Sequence, residues 1–416
     1  MKKLINLISL LLIVSLCLSS CSSYEAPEWD IYADDWHTFR GTAENIAVTH
    51  SETPKSASDT SLDWVFDAGS RTAGLLYIDG FVVTFSGDTM YKIDADTGEL
   101  ALSARLYSGS GHSSVSPAYN GGVLYIAADG GIVQAVDFET FETLWVYEND
   151  LGGQALSPVM CAGGYVCTGF WNGETEDADF VFLDLDGNEA SKYTNKGGFY
   201  LAGAVEADGY AVVPSDNGAS PANGASESLV MSFDPRTGEL RDSFSIEGDG
   251  RSSAVYFNGR VYVVSKPGVL YSAAIDDGMF SDSRSVRLDG ECTASPVIYG
   301  DYAFVGTSAK TVQMIDLSSM EVTASADTGA YPQAAMLLSD AYVEQDGCVY
   351  IYAALNALPG GISVIKADIF RERLTVSALF DAAGYEQYCF CAPICSGGGT
   401  IYYANDSGAI FSLSQN

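Results

Sequence analysis

The sequence predicts an all-β protein: an eight-bladed β-propeller of four-stranded antiparallel blades, its ring closed by an N-terminal strand near residues 61–67. Three observations carry this. First, one phrase recurs eight times between Tyr77 and Tyr403: an apolar pair, a glycine turn, then alternating aromatic and β-branched residues. It reads Tyr77-Ile78-Asp79-Gly80-Phe81-Val82-Val83 at first. It returns around Gly122, Gly164, Gly209, Gly259, Gly300, Gly347 and Gly398, in steps of 42, 42, 45, 50, 41, 47 and 51 residues. A period in the forties with several short strands per unit marks a propeller, whose units need neighbours to bury their faces. Second, Tyr (25), Phe (19) and Gly (43) abound while helix-period stretches are nearly absent after residue 30, which suits strands joined by tight turns. Third, the last unit supplies Ala409-Ile410-Phe411-Ser412-Leu413 as a third strand and no fourth. Ser61-Leu62-Asp63-Trp64-Val65-Phe66 matches the outer-strand phrase Thr143-Leu144-Trp145-Val146-Tyr147 and is expected to complete that blade.

Residues 1–20 read as a lipoprotein signal peptide. Lys2 and Lys3 form a positive n-region, and Leu4 to Leu18 is an apolar stretch short for a membrane span. Leu18-Ser19-Ser20-Cys21 looks like a lipobox, which makes Cys21 the expected lipidation site; an ordinary signal peptide cut near Ser20 would export the chain equally. Residues 21–35 are then an acylated flexible linker and 36–416 the propeller, tethered to the membrane by a diacylglyceryl-cysteine.

Unit two shows how a repeat becomes a blade. Ser113 to Tyr119 is small and apolar, as an innermost strand near a crowded axis requires. Gly121-Gly122 turns the chain into Val123 to Ala128, Asp129-Gly130-Gly131 turns it again into Ile132 to Asp137, and Thr143 to Tyr147 is the outer strand. The clusters Asp94-Ala95-Asp96-Thr97-Gly98-Glu99-Leu100, Asp184-Leu185-Asp186-Gly187-Asn188-Glu189 and Asp234-Pro235-Arg236-Thr237-Gly238-Glu239-Leu240 lack the spacing of a calcium loop and read as outer turns.

The formal charge of −34 repels phosphate backbones, so nucleic acid is excluded as a partner. Seven cysteines follow Cys21, an odd number that argues against a disulfide framework. Cys161 faces Val166 across a two-residue turn, so Cys161 and Cys167 point to opposite faces. Cys389, Cys391 and Cys395 are expected on one side of a strand as buried thiols rather than a metal site.

The entry phrase Trp36-His37-Thr38-Phe39-Arg40-Gly41, the Ser-Pro step before the glycine turn (Ser157-Pro158, Ser295-Pro296) and the Asp-x-x-Thr-Gly-Glu-Leu turn resemble the PQQ-like eight-bladed propeller family, from about Trp36 onward. The resemblance implies a tryptophan after that turn that docks neighbouring blades. Trp145 and Trp64 keep it, while Leu102 and Asp242 replace it. One branch of the family is quinoprotein dehydrogenases and another is non-catalytic, BamB-like lipoproteins. The lipobox, and the lack of a Cys-Cys pair or an inner-strand tryptophan, favour the second.

Residues just before each innermost strand ring one mouth of the channel. They are Arg71, His112, Gln154, Tyr200, Asp249, Arg251, Glu291 and Tyr388, a mixed polar and aromatic rim. His37 and His50 precede the ring. Ser215 to Ser226 reads as a loose surface loop. No catalytic residue, metal site or cofactor is expected. The expected function is a monomeric, exported, lipid-anchored scaffold for an envelope protein partner on the outer face of the membrane, or on the outer membrane of a diderm host. A sensor capturing a small molecule, sugar or peptide at the mouth is the alternative, and a degenerate quinoprotein dehydrogenase comes third.

Overall fold

The computed structural model describes residues 35–217 and 227–416. The expected signal peptide, the expected lipidation site Cys21 and nearly all of the expected linker lie outside the described residues, as does most of the Ser215 to Ser226 loop. The described chain forms eight antiparallel blades in a ring, and its helical content is a single turn, Val343–Asp346.

Blade two follows the sequence reading closely, with strands Ala118–Asn120, Val123–Ala128, Ile132–Asp137 and Thr143–Glu148. Its inner strand is shorter than expected, because residues 113–117 stay irregular and carry the chain down from the mouth. The glycine of the recurring phrase has positive φ in the first seven blades, from 56° at Gly300 to 86° at Gly164. In blade eight Gly399 (φ 86°) takes this role instead of Gly398. A side chain would be strained at each of these turns, which explains why the glycine recurs. Blade one departs from the pattern: its second and third strands form one segment, Phe81–Asp94, which includes the positive-φ Gly87.

The ring closes as expected. Thr60–Asp67 pairs antiparallel with Ala409–Gln415 and becomes the outer strand of blade eight. Trp64 is buried there, its Nε1 donates to the Ala95 carbonyl at 2.9 Å, and its ring lies against Gly98 of blade one. Trp145 repeats the arrangement on blade three, donating to the Leu185 carbonyl at 2.9 Å over Gly187. Where Asp242 replaces the tryptophan, its carboxylate accepts from the Phe280 backbone N–H at 2.8 Å, so a polar cap takes over the docking role. The supposed calcium clusters are turns closed by their own aspartates: Asp94 accepts from Thr97 N–H, and Asp184 from Asn188 N–H.

The seven cysteines are free. Cys161 pairs with Val166 as the turn register requires. Cys389, Cys391 and Cys395 are buried, but only Cys395 lies in a strand; residues 389–393 form an irregular descent, so strand alternation does not place them.

The feature with no counterpart in the repeat is the course of residues 36–49. Instead of merely preceding the ring, this segment threads its centre. Trp36 forms a bridge with Tyr77 of blade one, and Val48–Thr49 adds a parallel strand to the inner edge of blade seven. Residues 50–54 then run outward past blades seven and eight, where Tyr342 Oη donates to the Thr53 carbonyl at 2.8 Å and Ser51 Oγ to the Gly397 carbonyl at 2.7 Å. His50 rests near Asp340, at 2.9 Å.

Removing residues 58–68 strips blade eight of its outer strand and exposes the Ala409–Gln415 edge. The melting temperature should fall on the order of 10 °C, and Trp64→Ala alone should cost about 3–5 kcal/mol in denaturant unfolding. An unchanged melting curve for the deletion contradicts closure by this strand.

Candidate functional site

The channel has two different ends. At the end that carries the glycine turns, the 36–49 segment forms a plug. The backbone N–H groups of Tyr77, Tyr119, Glu206, Tyr256 and Leu338, each the middle residue of an inner strand, donate to the carbonyls of Trp36, His37, Ala43, Glu44 and Ala47 at 2.8–3.1 Å. Asn45 Nδ2 adds bonds to the Ala204 and Ala254 carbonyls, at 3.1 and 2.9 Å. Arg40 is buried, bonded through Nε to the Asn45 carbonyl (2.7 Å) and through Nη2 to the Pro296 carbonyl (2.6 Å), and burial lowers its pKa to about 9. Arg40, Asn45 and Ala47 all hold left-handed backbone (φ 56–62°), a strained course that the surrounding ring keeps in place.

The other end is open. Its cavity of about 340 Å³ takes walls from the loops before the inner strands and from the turns between second and third strands. Five of the eight residues expected at the rim line it: Arg71, His112, Tyr200, Arg251 and Glu291. Gln154, Asp249 and Tyr388 do not. Gln154 is drawn into a strand pair with Trp171, and Asp249 is paired with Arg251. Tyr388 is 49% exposed on the outer lip. Lys266, Asn356 and Asp406 line the cavity although the rim rule missed them, because they come from the second-to-third-strand turns rather than from the approach to an inner strand. Phe390 and Gln333 were missed for another reason: they lie a step further down their descents than the rule reached.

Most charges at the mouth are matched within the ring. Arg71 Nη2 meets Asp406 at 2.5 Å across the seam between blades one and eight. Arg251 Nη2 faces Asp216 (3.1 Å), Glu174 (3.3 Å) and Asp249 (3.3 Å), while the Tyr200 ring covers its guanidinium at 4.4 Å. Burial pushes the Asp216 carboxyl up to about 7; Arg251 opposes the rise and Asp249 adds to it. Tyr200 is in turn braced edge-on by Trp171, with ring centroids 5.0 Å apart. Asn356 Nδ2 donates to Gln333 Oε1 at 2.5 Å. His112 pairs its Nδ1 with Ser114 Oγ at 2.6 Å and stands edge-on to Phe390. Burial, reinforced by the charge of Arg71, lowers its pKa to about 4, so the imidazole is neutral at physiological pH and suited to hydrogen bonding rather than ion pairing.

This neutrality has a thermodynamic sign. The folded value lies below the ordinary 6.5, so the unfolded chain binds the extra proton between about 6.5 and about 4. His112 thus costs no stability above that window and on the order of 2–3 kcal/mol once the pH has dropped through it. Its imidazole resonances should titrate near 4; a midpoint near 6.5 by NMR contradicts the buried setting.

No curated protein sequence matches the chain. Residues 56–175 match the family model described as outer membrane protein assembly factor BamB. Among solved structures, BamB from Moraxella catarrhalis aligns at 12% identity and a TM-score of 0.59, covering 85% of this chain and 97% of that one. The quinohemoprotein alcohol dehydrogenase of Pseudomonas putida aligns at 11% identity and 0.68, over 92% of this chain and 80% of that one. That of Comamonas testosteroni aligns at 10% identity and 0.64, with the same coverage. At such identities the likeness to the structures is one of fold. The family match and the shared ring support a PQQ-like β-propeller family.

Proposed function

Starting from a PQQ-like propeller sealed at one end and open at the other, we propose that the chain is an exported, lipid-anchored interaction scaffold of the cell envelope, with the open mouth as its docking face. One observation carries the reading. Beside the polar cavity, neighbouring loops of blades seven and eight present Leu358, Tyr385 and Tyr388 at 60, 43 and 49% exposure. The loops are held together by Gln387 N–H on the Pro359 carbonyl (3.2 Å) and Asn405 Nδ2 on the Tyr385 carbonyl (2.6 Å). Aromatic groups beside a solvent-open polar pocket make a rim suited to an inserted polypeptide loop, which would bury the rings and hydrogen-bond within.

The direction of the tether agrees with this. Asp35, the first described residue, accepts from Asp79 N–H at a glycine turn of the sealed end, so a tether joining the ring there would leave the mouth free for a partner. The family match to an outer membrane protein assembly factor supports an envelope partner. A second reading, capture of a sugar or peptide ligand, is favoured by a cavity volume in the small-ligand range.

A photo-crosslinking residue at Tyr388 of the full-length lipoprotein should give one adduct of defined mass in intact cells, lost with Leu358→Ser. The same probe at Ser377, on the outer strand of blade seven, should give none. Equal labelling from both positions contradicts a mouth-face docking surface, and dye reduction on adding the quinone and calcium would point to the dehydrogenase branch instead.

A further inference from the structure

Behind the wall of the mouth, carboxylates from three parts of the ring meet on one guanidinium nitrogen. Arg251 Nη2, on the approach to blade five, lies 3.1 Å from Asp216, 3.3 Å from Glu174 and 3.3 Å from Asp249. Glu174 comes from the turn between the blade-three strands Tyr165–Trp171 and Asp177–Leu183. Asp216 follows the blade-four strand Tyr210–Pro214, and Asp249 follows the outer strand Glu239–Glu247. Arg251 and the Tyr200 ring that covers it line the cavity, with the acids behind them.

The cluster is short of positive charge. One guanidinium neutralises one carboxylate, and the next cation, Lys266, stands 4.0 Å from Asp249. Asp216 bears the imbalance. Its side chain is 3% exposed and its Oδ1 is buried with no hydrogen-bond partner, whereas Glu174 and Asp249 keep contact with solvent at 33 and 21%. An ionised carboxylate at Asp216 lacks water to offset its charge and is repelled by the other two acids. Of the three, it gains most from holding a proton.

The backbone around Asp216 ties the same blades together. Asp216 N–H donates to the Gly198 carbonyl, just past the outer strand of blade three, at 3.0 Å, and Gly250 N–H donates to the Ser215 carbonyl at 3.1 Å. Asn195 Nδ2 donates to the Asp216 carbonyl at 2.9 Å, and Asn217 Nδ2 to Asp249 at 2.8 Å. For Asp216 to be hydrated, bonds in this set must give.

We propose that Asp216 is a proton-operated latch on the mouth: protonated, it locks blades three, four and five around Arg251; ionised, it loosens that lock and the cavity wall formed by Arg251 and Tyr200. As regulation of the docking face, the latch rests on the scaffold reading above. Its sign follows from linkage. Burial and the charges of Asp249 and Glu174, opposed by Arg251, raise the closed-state carboxyl to about 7 from an ordinary 3.8. The closed arrangement therefore keeps a proton that a hydrated Asp216 gives up. Closing is fully favoured below the ordinary value, weakens as the pH rises to about 7, and levels off above it.

Native-state hydrogen exchange on the full-length protein, with no partner added, tests this. Protection factors of the Asp216 and Gly250 amides should fall on the order of tenfold from about pH 5.5 to about pH 8.5, while that of Val263 in mid-blade stays level. Asp216→Asn, neutral throughout, should hold both amides near the acid-side level at either pH. The carbon-13 titration of the Asp216 carboxyl should have its midpoint near 7, and Asp249→Asn should move it down by removing a like charge. Flat protection in the unsubstituted protein, a fall that persists in Asp216→Asn, or a midpoint near the ordinary 3.8 overturns the latch. The midpoint is read without any substitution, so it decides the matter even where a variant fails to fold. Cross-linking at Tyr388 reads the docking face separately, so a failed latch and a failed docking face are distinguishable.

Discussion

The structure depends on what happens at the inner edges of the blades. Every blade of a propeller ends at the axis in an edge strand, and an edge strand presents N–H groups with no partner. Left buried and unpaired, each would cost about 1–3 kcal/mol. Here the residues between Trp36 and Thr49 supply the missing acceptors for five of the inner strands and add a parallel strand to blade seven. A single segment thereby joins blades that are distant in sequence. Satisfying the inner edges seals one end of the channel, and the two ends become chemically different as a result.

The asymmetry organises everything functional. At the sealed end the plug cannot follow all eight blades while turning through Arg40 and Gly41, and where it passes blade three it leaves a pocket lined by His37, Glu44 and Glu206. At the open end, loops and turns from several blades converge on a cavity in which Arg71 and Arg251 are already paired with acids of the same ring. The outer rim is handled separately: the N-terminal strand closes blade eight, and Trp64 and Trp145 lock successive blades through a hydrogen bond to a carbonyl and contact with a glycine.

What was legible in the sequence follows from what the repeat constrains. Blade number, the glycine turns and the closing strand were readable because each blade must solve the same packing problem with the same residues, as Trp64 and Trp145 show. The plug was not readable. Its bonds are mainly backbone to backbone, so Ala43 or Ala47 carries no side-chain sign of its role; in the fold it is marked by left-handed backbone at Arg40, Asn45 and Ala47 and by the side-chain bonds of Arg40 and Asn45. The mouth was half readable: a rule tied to the inner strand finds Arg71, His112 and Arg251, while Lys266, Asn356 and Asp406 arrive from turns on which that rule is silent.

The most direct test of this account is native-state hydrogen exchange at the amides of Tyr77, Tyr119, Glu206, Tyr256 and Leu338, all of which donate to the plug. The account predicts that they exchange together and as slowly as the mid-blade amides of Ile126 and Val263, opening only when the ring does. Exchange at the rate of the exposed turn amides, with the mid-blade amides still protected, would mean that the inner edges are not sealed by the N-terminal segment and would contradict it.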